Sequence, residues 1–155
     1  MLVEFKTKKG REYRDGNEIL RYRICVPRIG GCERINELYL QISEDCEAFC
    51  KNILSRESEK RLAYSLDFAV THSSEDMVCL LMRARLMCGR KVLERYVDAH
   101  TWSISRQRMM PPRNLYKKFA SKGERLKKKE AVFLRGDELK SISRTDIDSF
   151  FGARK

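Results

Sequence analysis

The stretch CERINELYLQISEDCEAFCKNIL, residues 32–54, decides the fold of this chain. Its apolar residues recur at steps of three and four, which places them on one stripe of a helix, while most charged residues fall elsewhere. The stripe consists of Ile35, Leu38, Tyr39, Ile42, Cys46, Phe49, Cys50, Ile53 and Leu54. Because such a helix is stabilised mainly by covering another apolar surface, we expect it to pack on a sheet formed by the flanking segments.

Upstream of the helix, the pattern predicts a turn and a half-buried strand. Asp15-Gly16-Asn17 favours a turn, because Gly and Asn accept positive φ, and a hairpin or loop is expected around it. Residues 19–26 alternate between apolar positions and a second face that carries Arg21 and Arg23. We expect a short strand at the N-terminus, then a basic stretch, and an end of the second strand at Pro27.

Downstream of the helix, three alternating segments follow one another with short connections. They cover residues 62–71, 77–87 and 91–102. Connections this short exclude a parallel crossover, so we expect a three-stranded antiparallel meander. A helix over residues 77–97 is the alternative, since Met, Leu, Ala and Arg are good helix formers, but the turn at Gly89 and the period of two favour strands. The predicted fold is α+β, with an antiparallel sheet of about five strands and one long amphipathic helix across a face.

After Trp102 the sequence becomes strongly basic. We expect residues 103–130 to form a basic loop or a partly mobile segment within a single domain of residues 1–155. Three smaller elements are predicted beyond Pro111-Pro112: a helical turn over 114–119, a hairpin of 131–134 with 139–143, and a short helix over 145–151 that seats Ile147, Phe150 and Phe151 on the core.

The net charge of +11, from 33 basic and 22 acidic residues, favours polyanionic partners such as RNA, DNA or an acidic membrane surface. No run of eighteen apolar residues and no secretory signal occurs, so we expect no transmembrane segment and a cytoplasmic location. In such a compartment the six cysteines are expected to be reduced and mostly buried.

The sequence predicts no catalytic residue, no metal site and no cofactor. Cys46 and Cys50 share a helical face, but no second pair with zinc spacing accompanies them, and core packing is the better interpretation. His100 with Asp98 would need a thiol from a neighbouring strand to form a nucleophilic array, and no motif supports one.

A basic sheet face is the alternative candidate site. Arginines alternate on two predicted strands, so their side chains share the outer face if those strands share a sheet. Four aromatic residues, Tyr13, Tyr96, Trp102 and Tyr116, would interleave as stacking platforms for single-stranded nucleic acid. The competing interpretation is a solvated face whose aromatics pack on the core and whose arginines pair with Glu94 and Asp98. The residues assigned to this nucleic-acid site, including the basic segment 106–129, are Arg21, Arg23, Arg83, Arg85, Arg106, Arg108, Lys117, Lys118, Lys127, Lys128 and Lys129.

Three short segments carry a resemblance to a bacterial family. They are Ile35-Asn36 at the helix start, Ala99-His100, similar to a Gly-Ala-His segment, and residues 115–119, similar to an Asp-Leu-Phe segment. Together with the order of elements, over about residues 18–120, they resemble the C-terminal domain shared by lysozyme-sensing anti-sigma factors and some polysaccharide deacetylases. The segment with Asp98, His100 and Trp102 is the most family-like. The resemblance implies an α+β domain that is not an enzyme.

Two departures limit what the resemblance implies about a ligand. Members of the family usually lie outside the membrane, whereas this chain shows no anchor, and a chain of net charge +11 would repel the strongly basic lysozyme. We therefore expect a non-catalytic cytoplasmic binding or regulatory domain of unknown ligand, with a protein partner or a polyanion. A nucleic-acid-binding module is the alternative.

Overall fold

The structure is a computed structural model that describes residues 3–53, 61–111, 130–135, 138–143 and Phe151. These residues form one helix, α1 (Glu33–Ile53), and eight strands. The strands are β1 (Val3–Arg14), β2 (Asn17–Ile29), β3 (Leu62–Ser73), β4 (Met77–Cys88), β5 (Lys91–Ser103), β6 (Arg108–Met109), β7 (Glu130–Arg135) and β8 (Glu138–Ser143). Within this part of the chain, no helix is both long and apolar enough to cross a membrane.

The main sheet has six strands in the order β1-β2-β3-β4-β5-β6, and β7 and β8 pair separately. The α+β class is confirmed, but the sheet is mixed and six-stranded instead of antiparallel with about five strands. Strands β1 and β2 are antiparallel, whereas β2 and β3 are parallel. The reason is that α1 is the crossover between β2 and β3, and a connection of this length returns the chain so that the next strand runs in the same direction.

The first hairpin is longer than the sequence pattern predicted. Asp15 and Gly16 have φ angles of 52° and 81°, as a tight hairpin turn requires, and β1 pairs with β2 from Val3↔Ile29 to Arg14↔Asn17. The expected strand end at Pro27 is wrong, because Pro27 lies in β2 opposite Phe5. Proline is tolerated there since the ladder between β2 and β3 ends at Ile24, and no donor is needed on that side.

The predicted helix is confirmed to within one residue at each end. Its most buried side chains include Ile35, Tyr39 and Cys50, whereas Leu38 of the predicted apolar stripe is 51% exposed. The predicted strand–strand–strand order after the helix is also confirmed: β3, β4 and β5 are neighbours, and Gly89 takes a φ of 60° in the turn between β4 and β5. The alternative helix over 77–97 is therefore wrong.

Two compact units divide the chain. The first, which we call the helical unit, comprises residues 2–67 and 83–96; the second, the β unit, comprises residues 68–82 and 97–155 together with Met1. The helical unit is filled by fully buried side chains from α1, β2 and β3, including Leu20, Ile24, Ile29, Ile35, Tyr39, Leu62 and Leu66. That residues 1–155 form a single domain stays a prediction.

The β unit has two small apolar clusters. In one, Leu81, Val97, Phe133 and Phe151 pack together with Ala69 and Ala99, and in the other Met77, Cys79 and Leu134 pack with Met110. The predicted terminal hairpin is confirmed as β7 and β8, and Phe151 is buried as expected. Ile147 and Phe150, the helical turn over 114–119 and most of segment 103–130 lie outside the described residues.

Candidate functional site

The face of the helical unit that points away from α1 carries the candidate site. On the other face, the Tyr22 hydroxyl donates a hydrogen bond of 2.9 Å to Glu47 of α1. Because side chains alternate along a strand, Arg21 and Arg23 project away from the helix. The register places Lys9 opposite Arg23 and Arg11 opposite Arg21, so two strands contribute to one cationic surface. We call this surface the basic face; it consists of Lys9 and Arg11 on β1 and of Arg21 and Arg23 on β2.

Two carboxylates partly neutralise the basic face. Glu18 is shared by Arg11 and Arg21, at nitrogen–oxygen distances of 3.3 and 3.1 Å, and the hydrogen bond from Arg21 lowers the pKa of Glu18. Asp67 on β3 accepts a hydrogen bond of 2.6 Å from Arg23. Four cations against these two carboxylates leave a positive surface. Like charges placed directly opposite each other on neighbouring strands destabilise a sheet, so the arrangement costs stability unless an anion offsets it.

The basic face is accessible to solvent, whereas the two predicted arginines of β4 are not: Arg85 is half-buried and Arg83 is buried. The side chains of Arg11 and Arg21 are each 59% exposed and that of Arg23 is 38% exposed. Arg83, by contrast, is only 2% exposed and lies 3.8 Å from Asp67, so it does not belong to the outer face on which we expected it. Arg21 and Arg23 use Glu18 and Asp67 as partners instead of Glu94 and Asp98, which the competing interpretation proposed.

Some of the predicted stacking residues are exposed and others are buried. Tyr13, near the turn of the β1–β2 hairpin, is 60% exposed and Tyr96 is 56% exposed, so both rings are open to a ligand. Trp102 in the β unit is 4% exposed and packs edge-on against the ring of His100 at a centroid distance of 6.4 Å. Trp102 is therefore a core residue. Tyr116 lies outside the described residues.

The family-like segment is built as a core and not as a nucleophilic array. His100 is 6% exposed, packs near Phe68, and has its Nε2 atom 3.7 Å from the Asp98 carboxylate. Burial lowers the pKa of His100. The nearby thiol of Cys79 lies 3.5 Å from the Thr101 hydroxyl, and burial raises its pKa, which leaves it a neutral and poor nucleophile.

The thiols of Cys46 and Cys50 on α1 also have raised pKa values and are neutral. The Tyr64 hydroxyl donates a hydrogen bond of 3.2 Å to the Cys46 sulfur, and burial raises the pKa of Cys50 to about 12. Neutral thiols are poor metal ligands. Among the described residues, no group of three or more His, Cys, Asp or Glu side chains is placed to hold a metal ion.

Solved structures show what this arrangement is similar to. A DUF3298 family protein from Pseudomonas aeruginosa PAO1 matches 73% of this chain and 56% of its own, with a TM-score of 0.55 and 7% identity. The fold resembles that of a DUF3298 family protein. A DUF3298 member from Bacteroides fragilis NCTC 9343 matches 70% of this chain and 58% of its own, with a TM-score of 0.40 and 8% identity. No protein-family model and no curated protein sequence matches this sequence.

At 7% identity, the likeness to the Pseudomonas DUF3298 protein concerns the fold alone. The chain also spans little more than half of each of these two solved structures, 56% and 58%. The resemblance to lysozyme-sensing anti-sigma factors and polysaccharide deacetylases stays a prediction.

Within the DUF3298-like fold, sequence reasoning missed two residues of the basic face, Lys9 and Arg11. It treated the segment before the Asp15-Gly16 turn as a short strand and a basic stretch. Counting outward from the Asp15-Gly16 turn would not have found them, because a regular ladder pairs Arg11 with Leu20 and Lys9 with Tyr22. The register shift between Glu12 and Tyr13 places Arg11 opposite Arg21 and Lys9 opposite Arg23 instead.

The remaining predicted nucleic-acid residues lie elsewhere. Arg106 and Arg108 are exposed in the β unit, where Arg108 on β6 pairs with Ser103 on β5. The structure therefore groups only part of the predicted site. The lysines of the basic segment, Lys117, Lys118, Lys127, Lys128 and Lys129, lie outside the described residues.

Proposed function

We propose that this chain is a non-catalytic binding domain whose basic face binds single-stranded nucleic acid. The observation that carries the proposal is the pairing of Lys9 with Arg23 and of Arg11 with Arg21 across one ladder. The side chains of Arg11 and Arg21 are each 59% exposed, and that of Arg23 is 38% exposed. Cationic side chains on a sheet neutralise phosphates, and exposed aromatic rings beside them stack on bases.

The exposed tyrosines support a single-stranded ligand over a duplex. Tyr13 belongs to the same hairpin as Arg11, and its ring is 60% exposed. A stacked base in a duplex is not available to an aromatic side chain, whereas an unstacked base is. RNA and DNA both present such bases, and the proposal covers both.

A second candidate is a cytoplasmic regulatory domain that binds a protein partner. It is supported by the resemblance of the Asp98–Trp102 segment to a sensing domain. The two candidates differ in their salt dependence, because contacts with phosphates release counterions and a largely apolar protein interface does not.

The test is a fluorescence anisotropy titration of a labelled 20-nucleotide oligouridine and of oligodeoxythymidine at several salt concentrations. With four phosphate contacts, the logarithm of the binding constant should fall with the logarithm of salt with a slope of about −3, since each contact in a single strand contributes about −0.7. Salt-independent or absent binding to both oligonucleotides would contradict the proposal.

A matched pair of variants locates the site. The double substitution Arg11→Ala with Arg21→Ala removes two charges from the basic face, and the slope should become shallower by about 1.4. The control, Arg34→Ala with Lys51→Ala, removes two charges from α1, and both side chains are exposed. Equal loss of affinity in the two double variants would show that net charge, not the basic face, governs binding.

A further inference from the structure

Strand β1 forms an open edge of the main sheet. It stands last in the strand order, and over its 12 residues it pairs with β2 on one side only, as far as the described residues extend. An edge strand presents a row of backbone N–H and C=O groups that can accept another extended chain. Nearly all of its side chains are exposed or half exposed, including Phe5 at 42%.

A groove of about 240 Å³ lies beside this edge, between β1–β2 and the first half of α1. Its apolar surface comes from Val26, Pro27 and Leu40. Its polar lining balances two cations, Lys6 and Arg28, with two carboxylates, Glu33 and Glu37, so the floor itself suits an uncharged side chain. The groove is smaller than the roughly 300–1,000 Å³ of sites for drug-sized ligands, so it suits a single bulky side chain better than a small molecule.

The wall of the groove is held in place before any ligand arrives. The Asn36 side chain accepts a hydrogen bond of 2.7 Å from the Ile29 N–H and donates one of 2.8 Å to the Ile29 carbonyl. This clamp joins the end of β2 to the first turn of α1. Little conformational entropy is therefore lost in ordering the site when a ligand binds, which favours binding.

Charge decides which kind of chain fits the edge. Strand β1 carries five basic residues, Lys6, Lys8, Lys9, Arg11 and Arg14, against Glu4 and Glu12. A second copy of β1 would bring the same positive excess against itself, which is unfavourable for directly opposed residues. An acidic strand would meet complementary charge along its length.

We propose that the open edge of β1 and the adjacent groove bind an extended acidic peptide segment of a partner protein, which adds as a seventh strand and places one bulky apolar side chain over Val26, Pro27 and Leu40. Main-chain hydrogen bonds to β1 supply affinity, and the groove selects the anchor residue. The anchor groove lies on the helix-facing side of β1, whereas Lys9 and Arg11 of the same strand belong to the basic face, so the two proposals share part of the charge of β1 but differ in their anchor residues.

The probe is a blocked nine-residue peptide that alternates glutamate and valine around a central leucine. Amide hydrogen exchange followed by NMR gives the decisive readout, because the backbone N–H groups of an edge strand point alternately toward its partner and toward solvent. Alternate amides of β1 should exchange about tenfold more slowly when peptide is bound, in line with new inter-strand hydrogen bonds. Binding without this alternate protection would overturn strand addition.

Two control peptides separate charge from backbone pairing. The first replaces glutamate by lysine, and the second keeps glutamate but carries N-methyl groups on alternate amides. Both should bind at least about tenfold more weakly than the probe, one for lack of complementary charge and the other for lack of donors. Equal binding of all three peptides would overturn the proposal.

Two leucines of α1 provide a matched pair of protein variants. Leu38 and Leu40 are each 51% exposed, but only Leu40 lines the groove. Leu40→Glu should weaken binding of the probe peptide by about tenfold, since a charge placed beside the anchor side chain would be desolvated. Leu38→Glu should leave the affinity for the probe unchanged. An equal effect of the two substitutions would refute the groove as the anchor site.

The same variants keep this inference apart from the proposed function. Arg21→Ala on the basic face should weaken oligonucleotide binding and leave β1 protection by the peptide intact. Leu40→Glu should weaken the protection of β1 by the peptide and leave oligonucleotide binding intact. Loss of both activities in either variant, with an unchanged circular dichroism spectrum, would contradict the separation of the two surfaces.

Discussion

Gly10 is the residue of β1 over which the ring of Tyr22 packs. A Cβ atom at position 10 would overlap with Cζ of Tyr22, far closer than two carbon atoms can approach. The ring is 7% exposed, and its hydroxyl donates to Glu47 of α1. Burial, followed by this hydrogen bond, raises the pKa of Tyr22 to about 12. The missing side chain at Gly10 thus permits one ring to join the hairpin to the helix.

We expect Gly10→Ala to lower the free energy of unfolding by about 1–3 kcal/mol, because the ring must move from a packed position and away from Glu47. Urea denaturation measures the change. In a Tyr22→Leu background the same substitution should cost much less, since the ring is gone. An equal cost in both backgrounds would show that the effect comes from the strand backbone and not from the ring.

His100 couples stability to pH through its burial. Desolvation lowers its pKa below the ordinary value of 6.5, and the carboxylate of Asp98 opposes this shift in pKa only in part. Below pH 6.5 the unfolded chain binds a proton at this position that the folded chain does not. The contribution of neutral His100 to the free energy of unfolding is therefore fully present above the pKa that the residue has in the unfolded chain. It is lost as the pH falls below that value.

The free energy of unfolding should accordingly decrease from pH 7.5 to pH 5.5, with a slope of up to about 1.4 kcal/mol per pH unit below 6.5. Urea titrations at intervals across this range measure the slope. In His100→Gln the decrease should largely disappear, whereas His72→Gln, which changes the half-buried histidine of β3, should keep it. A flat profile in the unmodified chain would contradict the assignment.

At the scale of elements, α1 both packs on the sheet and connects two of its strands. It carries the chain from the end of β2 to the start of β3, and this crossover makes the two strands parallel. The Asn36 clamp on Ile29 fixes the angle at which the chain enters the helix, because both bonds are to backbone atoms of one residue. The resemblance noted at Ile35-Asn36 thus coincides with a structural role.

Asn36→Ala should reduce the free energy of unfolding by about 1–3 kcal/mol, since it removes two hydrogen bonds and leaves the Ile29 backbone groups poorly satisfied. Thermal and urea denaturation measure the loss. The control is Gln41→Ala, which removes an exposed hydrogen bond of 2.9 Å between Gln41 and Asp45 on the same helix. The control should change stability by no more than about 0.5 kcal/mol. Comparable losses in the two variants would contradict the role of the Asn36 clamp, since helix propensity alone would make both substitutions to alanine slightly stabilising.

Element type was largely predictable, whereas element length and pairing were not. The stripe of residues 32–54 and the alternation of residues 62–71 identify a helix and a strand because those periodicities are local. Strand β1 was underestimated, since most of its residues are polar and an edge strand needs no apolar face to remain paired. Its partner β2 supplies the burial that β1 lacks.

At the scale of the whole molecule, all six cysteines are free, as the sequence predicted. Four are buried, and Cys46 and Cys88 are half-buried. Burial raises the pKa of Cys32, Cys46, Cys50 and Cys79, which lowers their reactivity toward oxidants and alkylating agents. The fold therefore protects most of its thiols without pairing them.

In native protein at pH 8 we expect Ellman's reagent to modify Cys88 first and the other thiols slowly, because Cys88 is half-buried and the pKa of the other half-buried thiol, Cys46, is raised. In denaturant, all six should react. Peptide mass spectrometry after brief alkylation identifies the first site. Cys88→Ser is the control and should remove the fast phase. Fewer than six reactive thiols in denaturant would contradict the reduced state.

The sequence by itself determined the class of the fold, the position of its helix, the turns at Gly16 and Gly89 and the absence of disulfide pairing among its six cysteines. Each of these depends on local periodicity, backbone conformation or chemical environment. Tertiary structure alone decided that β3 lies parallel to β2, that β1 extends along the whole of β2, and that Arg83 is buried beside Asp67 while Arg21 is exposed. These features are set by register and by which strands become neighbours, and such contacts join residues that are distant in sequence and leave no periodic trace within either segment.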